Sequence, residues 1–284
     1  MTDVRPVVGY RLQSILKYTL IYAILLVGAC ITLGPLAWMI STSLKNRSAV
    51  FRFPPEWIPD PVLWNNYPEA LTLLPFGTFF INTVVITLLA VLGELISSAV
   101  VGYSFARLRW KGRNVLFIIV LATMMLPRQV TLIPVFVIFR FFDLINTFGP
   151  LIIPSWFGIP FFIFLLRQFY MTIPFDLDDA AAIDGCSRLG VFWRIVLPLS
   201  KPALAAVAIF SFQFHWNDFF QPLIYLFDKE KFTLALGLRF FQGNYGTEWH
   251  YLMASSLVVM LPLILVFFFA QKIFIQGVVY TGFK

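Results

Sequence analysis

The sequence predicts an all-α, polytopic membrane protein with six transmembrane helices, and three observations predict it. Of 284 residues, 60% are hydrophobic and 12% are charged, about half the charge of an ordinary soluble domain. The apolar residues gather into runs long enough to cross a bilayer as helices. The basic residues sit mostly between those runs: on a six-span topology, 13 Lys and Arg fall on the side holding both termini and six on the other. That asymmetry places the termini in the cytoplasm. The net charge of +7 therefore reads as topology, with the lipid bilayer as partner. Nucleic acid is excluded because the basic residues form no stripe or patch that tracks phosphates.

The elements follow in order. Residues 1–17 are a short cytoplasmic tail with Arg5, Arg11 and Lys17, and 18–284 form one six-span domain. Residues 18–40 carry no charge and would span about 35 Å as a helix. That run is too long for a signal-peptide core, and no small-residue cleavage site follows it. The external loop 41–75 is rich in Pro and Trp, so most of it is not regular helix. Span two, 76–106, holds a single charge, Glu94, and leads into the basic cluster RLRWKGR at 107–113. That cluster reads as a topology anchor against anionic headgroups. Span three, 115–139, contains Pro127, Arg128 and Pro134 and is expected to kink. Span four is 144–166 and has no charge. Span five, 202–227, carries His215 and Asp218; the external loop 228–248 and span six, 249–271, complete the chain.

One stretch differs from everything around it. Residues 174–202, PFDLDDAAAIDGCSRLGVFWRIVLPLSKP, bring four carboxylates, two arginines and a lysine between apolar spans. Asp176, Asp178 and Asp179 fall in the first turn of a helix, where negative charge suits the macrodipole. Ala180, Ala181 and Ala182 give that helix a small face, and Gly185 supplies a left-handed stop. A second short segment runs from Val191 to Val196 and ends near Pro198 and Pro202. The stretch is a helix–turn–helix on the cytoplasmic side, either a solvated loop or a docking element.

The same stretch resembles the EAA loop of the permeases of bacterial ABC importers. Asp179-Ala180-Ala181 stands at the Glu-Ala-Ala place, Asp184-Gly185 at the Asp-Gly and Leu197-Pro198 at the Leu-Pro; Asp179 for Glu and Cys186 for Ala depart from the pattern. The likeness covers nearly the whole chain, through Ser41-Thr42-Ser43-Leu44-Lys45, Phe79-Phe80-Ile81-Asn82-Thr83, Tyr103-Ser104-Phe105-Ala106-Arg107-Leu108 and Trp216-Asn217-Asp218-Phe219. It is similar to the maltose-type, carbohydrate-importing branch, and within it to the shorter of the two maltose permease subunits. The resemblance implies a type I importer permease fold in a bacterial or archaeal inner membrane. It also implies a heterodimer with a second permease, two ATP-binding subunits and an external solute-binding protein. In such a complex Asp179, Ala180, Ala181, Asp184 and Gly185 would couple to the ATPase. The loop between spans five and six, with Phe240, Phe241, Gln242, Gly243, Asn244 and Tyr245 near its middle, would touch the binding protein. The family usually ends in Lys-Gly, whereas this chain stops at Lys284.

The residues agree independently on the energy source. No G-x-x-x-x-G-K-[ST] loop occurs, so this chain has no evident phosphate cradle, is expected to hold no cofactor, and borrows its energy from Mg-ATP on a partner. It is expected to be a translocation subunit and not an enzyme: no nucleophile–base pair or ligand-spaced metal cluster is visible. Glu94 and Asp218 are the acidic residues inside spans; each must face a cavity, find a partner or be protonated. Asn217 and Asp218 are candidates to line a translocation path, against a position near the interface with the carboxylate reaching outward. Glu94 joins them as a candidate, against a hydrogen bond between helices. Arg128 either lines the path or balances Glu94. The rival reading is a secondary transporter coupling ions through Glu94 and Asp218, but inverted repeats are absent from the sequence.

Overall fold

The structure, a computed structural model, describes residues 7–243 and 246–281, with side chains for 14–127, 129–243 and 246–271. Helix α1 (Val7–Ser43) and the short α2 (Asn66–Leu73) flank the Pro-rich loop, and α3 (Phe76–Arg107) is continuous. Next come α4 (Arg113–Thr123) and α5 (Arg128–Phe141). Helix α6 (Gly149–Ile152) passes through a 3-10 turn, Ile153–Phe157, towards α7 (Pro160–Thr172). The charged stretch folds as α8 (Asp176–Ile183), α9 (Arg188–Val191), a π turn (Phe192–Val196) and α10 (Leu197–Leu199), then joins α11 (Lys201–Trp216). Helices α12 (Phe220–Tyr225) and α13 (Leu234–Gly237) precede the two-residue strands β1 (Gln242–Gly243) and β2 (Gly246–Thr247). These pair antiparallel, Gln242 opposite Thr247, before α14 (Trp249–Thr281).

The fold is all-α in character, and among the described residues four or five of the expected six spans are met by helices long and apolar enough for a crossing. Among the described residues four helices are long and apolar enough to cross a membrane: Ser14–Ser43, Phe76–Arg107, Gly149–Thr172 and Trp249–Gln271. A fifth is reached if Arg188–Leu199 and Lys201–Trp216, bent by 76°, form one span. The expected third span is broken. Helices α4 and α5 have 11 and 14 residues, about 16 and 21 Å, each short of a hydrocarbon core of about 30 Å. The break falls at Pro127, whose ψ of 134° is extended and whose ring nitrogen offers no N–H to a helical ladder. Span five also stops early, at Trp216.

The chain forms two compact units, Met1–Leu73 with Phe241–Val258, and Leu74–Phe240 with Val259–Lys284. In the first, the end of α1 is tied down by polar contacts. Asn66 Nδ2 donates to the carbonyls of Ser43 and Lys45, both at 2.8 Å, and the Ser43 hydroxyl meets Tyr67 Oη at 2.9 Å. Lys45 lies 4.0 Å from the centre of the Trp38 ring, and burial pushes its ammonium below the ordinary lysine range.

In the second unit α3 is the hub, packing against α6, α7, α11 and α13. Small residues allow close approach: a Cβ at Gly102 would lie 3.2 Å from Leu166 Cβ, and one at Gly93 would lie 2.6 Å from the Trp156 ring. Polar side chains pin α3 along its length. Asn82 Nδ2 donates to the carbonyls of Glu230 (2.8 Å) and Phe232 (3.0 Å), and Thr83 Oγ1 accepts from Leu234 N at 2.8 Å. Tyr103 Oη donates to the Arg188 carbonyl at 2.8 Å. A buried cluster of Ala99, Tyr103, Leu166, Tyr170, Phe192 and Val207 joins α3 to α7, α11 and the charged stretch.

Candidate functional site

Local chemistry explains why residues 176–186 form one helix and a sharp stop. Asp176, Asp178 and Asp179 occupy the first turn of α8, where the free N–H groups favour carboxylates. At the other end Cys186 N donates to the Ala181 carbonyl at 2.8 Å and Gly185 N to the Ala182 carbonyl at 3.1 Å. This is the Schellman pattern, and it needs a left-handed residue after the helix. Gly185 provides it with φ of +79°. Ser187 Oγ then accepts from Gly190 N at 3.1 Å and starts α9.

That turn yields a direct prediction. A Cβ at Gly185 would meet nothing within 4 Å, so Gly185→Val acts through the backbone alone, at a cost of about 1–2 kcal/mol. We expect Gly185→Val to misdirect α8 and sharply reduce solute uptake, and Gly185→Asn to retain most of it, because Asn visits the left-handed region. Uptake and expression of both variants, measured side by side, check this.

The helix faces are not those expected from the sequence. Ala181 turns inward, 9% exposed, into the cluster containing Tyr170, Ile173, Val191 and Phe192. It packs against this chain's own core, which corrects its expected place on the outward small face. Asp178 is also buried, at 2%. The outward side carries Asp179 and Ala180, with Asp184 and Gly185 exposed at the turn. It also carries Ile183, which is 87% exposed.

What holds α8 in place is the last residue of α3. Arg107 is 4% exposed. Its Nη2 donates to the Ile173 carbonyl at 2.6 Å, its Nη1 lies 3.5 Å from Asp178 Oδ1, and the guanidinium sits 4.3 Å from the Phe175 ring centre. A buried arginine thus binds the entry to α8 at three points. The planar fork of Arg suits this task better than an ammonium would.

The candidate path residues divide. Glu94 is fully buried at 0% exposure, with Oε1 2.9 Å from His215 Nε2, so it joins α3 to α11. It does not line an open path, and its partner is His215. The Arg128 side chain lies outside the described residues. Asp218 is half-buried; its Oδ1 accepts from Phe220 N (3.1 Å) and Gln221 N (3.2 Å), capping α12. Asn217 is exposed, and its Nδ2 donates to the Gln213 carbonyl at 2.9 Å. Asp218 thus supports the start of the separate short helix α12, just after α11 ends at Trp216.

The 240–245 segment divides as well. Phe240 is 46% exposed and stacks on Phe232 at 5.6 Å. Phe241 is 5% exposed and lies 6.2 Å from the Tyr251 ring, so burial corrects its place among free contact residues. Gln242 and Gly243 are exposed in β1, and Asn244 and Tyr245 lie outside the described residues. In the same loop, hydrogen bonds from Lys231 and Asn146 hold the Asp228 carboxyl below the usual range. Three residues of these arrangements were not singled out from the sequence: Arg107, His215 and Ile183. Only the isolation of His215 and Glu94 as ionisable groups within apolar spans was a usable signal.

The Glu94–His215 contact carries a second prediction. His215→Leu would leave a carboxylate buried without its partner, and Glu94→Gln keeps a hydrogen-bonding side chain of equal size. We expect His215→Leu to lower thermal stability by about 1–3 kcal/mol, the cost of a buried polar group left without its hydrogen-bond partner, and Glu94→Gln to cost less than half as much. Thermal unfolding of the detergent-purified variants checks both.

These features define a class: a polytopic helical membrane protein with a short charged helix held on a buried arginine. Residues 98–280 match the family described as binding-protein-dependent transport system inner membrane component, and the chain belongs to that family. It is therefore a multi-pass inner-membrane permease component. The arabinooligosaccharides transport system permease protein AraQ of Bacillus subtilis is 36% identical over 89% of this chain and 90% of its own length. The sn-glycerol-3-phosphate transport system permease protein UgpE of Yersinia pestis is 30% identical over 91% and 94%. The crystal structure of a bacterial ABC transporter involved in the import of the acidic polysaccharide alginate superposes with a TM-score of 0.80. It is 25% identical, over 91% of this chain and 97% of that one.

Proposed function

We propose that this chain is one of two permease subunits in an ATP-driven importer of a sugar or sugar derivative. Its partners are a second permease, two ATP-binding subunits that hold and hydrolyse Mg-ATP, and an extracytoplasmic solute-binding protein. The observation that carries this reading is α8, which exposes Ile183 and Ala180 while the buried Arg107 holds its entry through Ile173 and Asp178. An apolar side chain 87% exposed on a helix held this firmly is suited to a preformed cleft. Movement imposed on α8 by the ATPase passes through Arg107 to α3, and from α3 through Glu94–His215 to α11, giving alternating access. Helices α4 and α5 together make one crossing, which brings the count to six with both termini and α8 in the cytoplasm. Asn217 and Asp218 line the path, and Phe240, Gln242 and Gly243 face the binding protein. The substrate class is supported by the relatives, named for arabinooligosaccharides, diacetylchitobiose and glycerol phosphate.

The test is reconstitution of the chain with those partners in proteoliposomes. Uptake is expected to need ATP on the α8 side and loaded binding protein on the other, and to survive ionophores. Uptake driven by an ion gradient without ATP would overturn the proposal.

A further inference from the structure

The turn between α3 and α4 forms a cavity of about 290 Å³, lined by Arg109, Trp110, Gly112, Arg113, Asn114 and Val115. Its charge is uncompensated. No acidic residue occurs between Glu94 and Asp143, and neither Arg109, on the cavity wall, nor Lys111, in the same turn beside it but not on the wall, has an ion-pair or hydrogen-bond partner among the described residues. Arg113 is held differently. It donates through Nη1 to the Leu108 carbonyl at 3.0 Å and through Nε to Asn114 Oδ1 at 3.3 Å. Gly112, with φ of +87°, turns the chain so that α4 begins at the cavity wall, and the first N–H groups of that helix add a positive pole. Arg167 on the neighbouring α7 adds a further cation, its guanidinium 4.1 Å from the centre of the Phe117 ring of α4.

The other flank is apolar. Beyond Val115, which is 63% exposed, Ile118 and Ile119 are 65% and 52% exposed, and Trp110 leans on Phe105 at 5.7 Å between ring centres. A basic cavity that opens beside an exposed apolar helix, with a tryptophan at the junction, combines the two halves of one kind of molecule. We infer that this cavity is a binding site for the phosphodiester headgroup of an anionic phospholipid, with the acyl chains along α4. A free phosphate would satisfy the cavity but would have no use for the apolar flank. The site thus goes beyond a diffuse attraction of basic residues to a charged surface: it is a defined place for one lipid. It requires only that the chain spans a membrane, not the partners or energy source proposed above.

Native mass spectrometry of the detergent-purified, full-length chain in its complex tests the inference. Phosphatidylglycerol is added, and the retained lipid is counted for the wild type and for Arg109→Gln/Lys111→Gln. Each basic side chain near a headgroup is worth about fivefold in affinity, so the double variant is expected to bind about thirtyfold more weakly. The charge-preserving Arg109→Lys/Lys111→Arg is expected to retain the lipid, and phosphatidylcholine to be held no better than by the double variant. Equal retention by wild type and double variant would overturn the site, as would equal retention of phosphatidylcholine. Displacement of the lipid by millimolar inorganic phosphate would assign the cavity to a free phosphate and overturn the lipid. Loss of ATP-driven uptake with retention unchanged would count against the lipid site and leave the transport proposal untouched.

Discussion

Ile183→Arg is expected to abolish solute uptake and release the ATP-binding subunit, while the variant chain inserts and accumulates normally. Ile183 is 87% exposed in this chain, so its replacement removes no packing from the fold. If its side chain enters a cleft on the ATPase, an arginine there is an uncompensated buried charge. That costs about 3–5 kcal/mol, a weakening of association by more than about a hundredfold. Ile183→Leu keeps the apolar volume and should retain both activities. On a solvated loop with no partner, the arginine would be neutral within about 0.5 kcal/mol. Uptake and co-purification of the ATPase from the same membranes distinguish the cases.

The second large effect is expected at Arg107. Arg107→Leu leaves Asp178, 2% exposed, as a buried carboxylate without its cation, and strips the Ile173 carbonyl of its donor. Breaking such a pair from one side costs about 3–5 kcal/mol. The predicted phenotype is a chain that still inserts but no longer holds α8 at a fixed angle. Arg107→Lys restores the charge without the planar fork, so recovery should be partial. Arg107→Leu combined with Asp178→Leu should recover more stability than the sum of the single changes allows. It should not recover the number of solute molecules moved per ATP hydrolysed. A role confined to stability would make coupling and stability recover together, so measuring both separates them.

Much of this arrangement is readable from the chain, because hydropathy and turn chemistry are local. The three aspartates of α8 and Gly185 mark both ends of that helix by mechanism, and the positive φ at Gly185 is where the sequence puts it. What could not be read is which way an eight-residue helix turns. Ala180, Ala181 and Ala182 are identical side chains, and only packing against Tyr170 and Phe192 decides that Ala181 goes inward. Pairing at a distance is equally hidden. Glu94 and His215 lie 121 positions apart, and nothing local in either span names the other. Pro127 did announce irregularity, but a kinked helix and two separate helices have the same sequence signature. Asp218 was visible as a charge in a span, yet its work as a cap depends on the backbone of Phe220 and Gln221.

The central claim is that α8 docks on a separate ATP-hydrolysing subunit, and site-directed cross-linking tests it most directly. Cys30 and Cys186 are free thiols, so both are first replaced by serine, and Ile183→Cys is introduced into that background. With a short thiol-to-amine reagent in membranes containing the whole transporter, the predicted result is an adduct between this chain and the ATP-binding subunit. Mg-ATP should alter its yield, and an exposed control, Ile58→Cys, should not form it. The contradicting result is no adduct with Ile183→Cys, together with its modification by an impermeant thiol reagent added to intact cells.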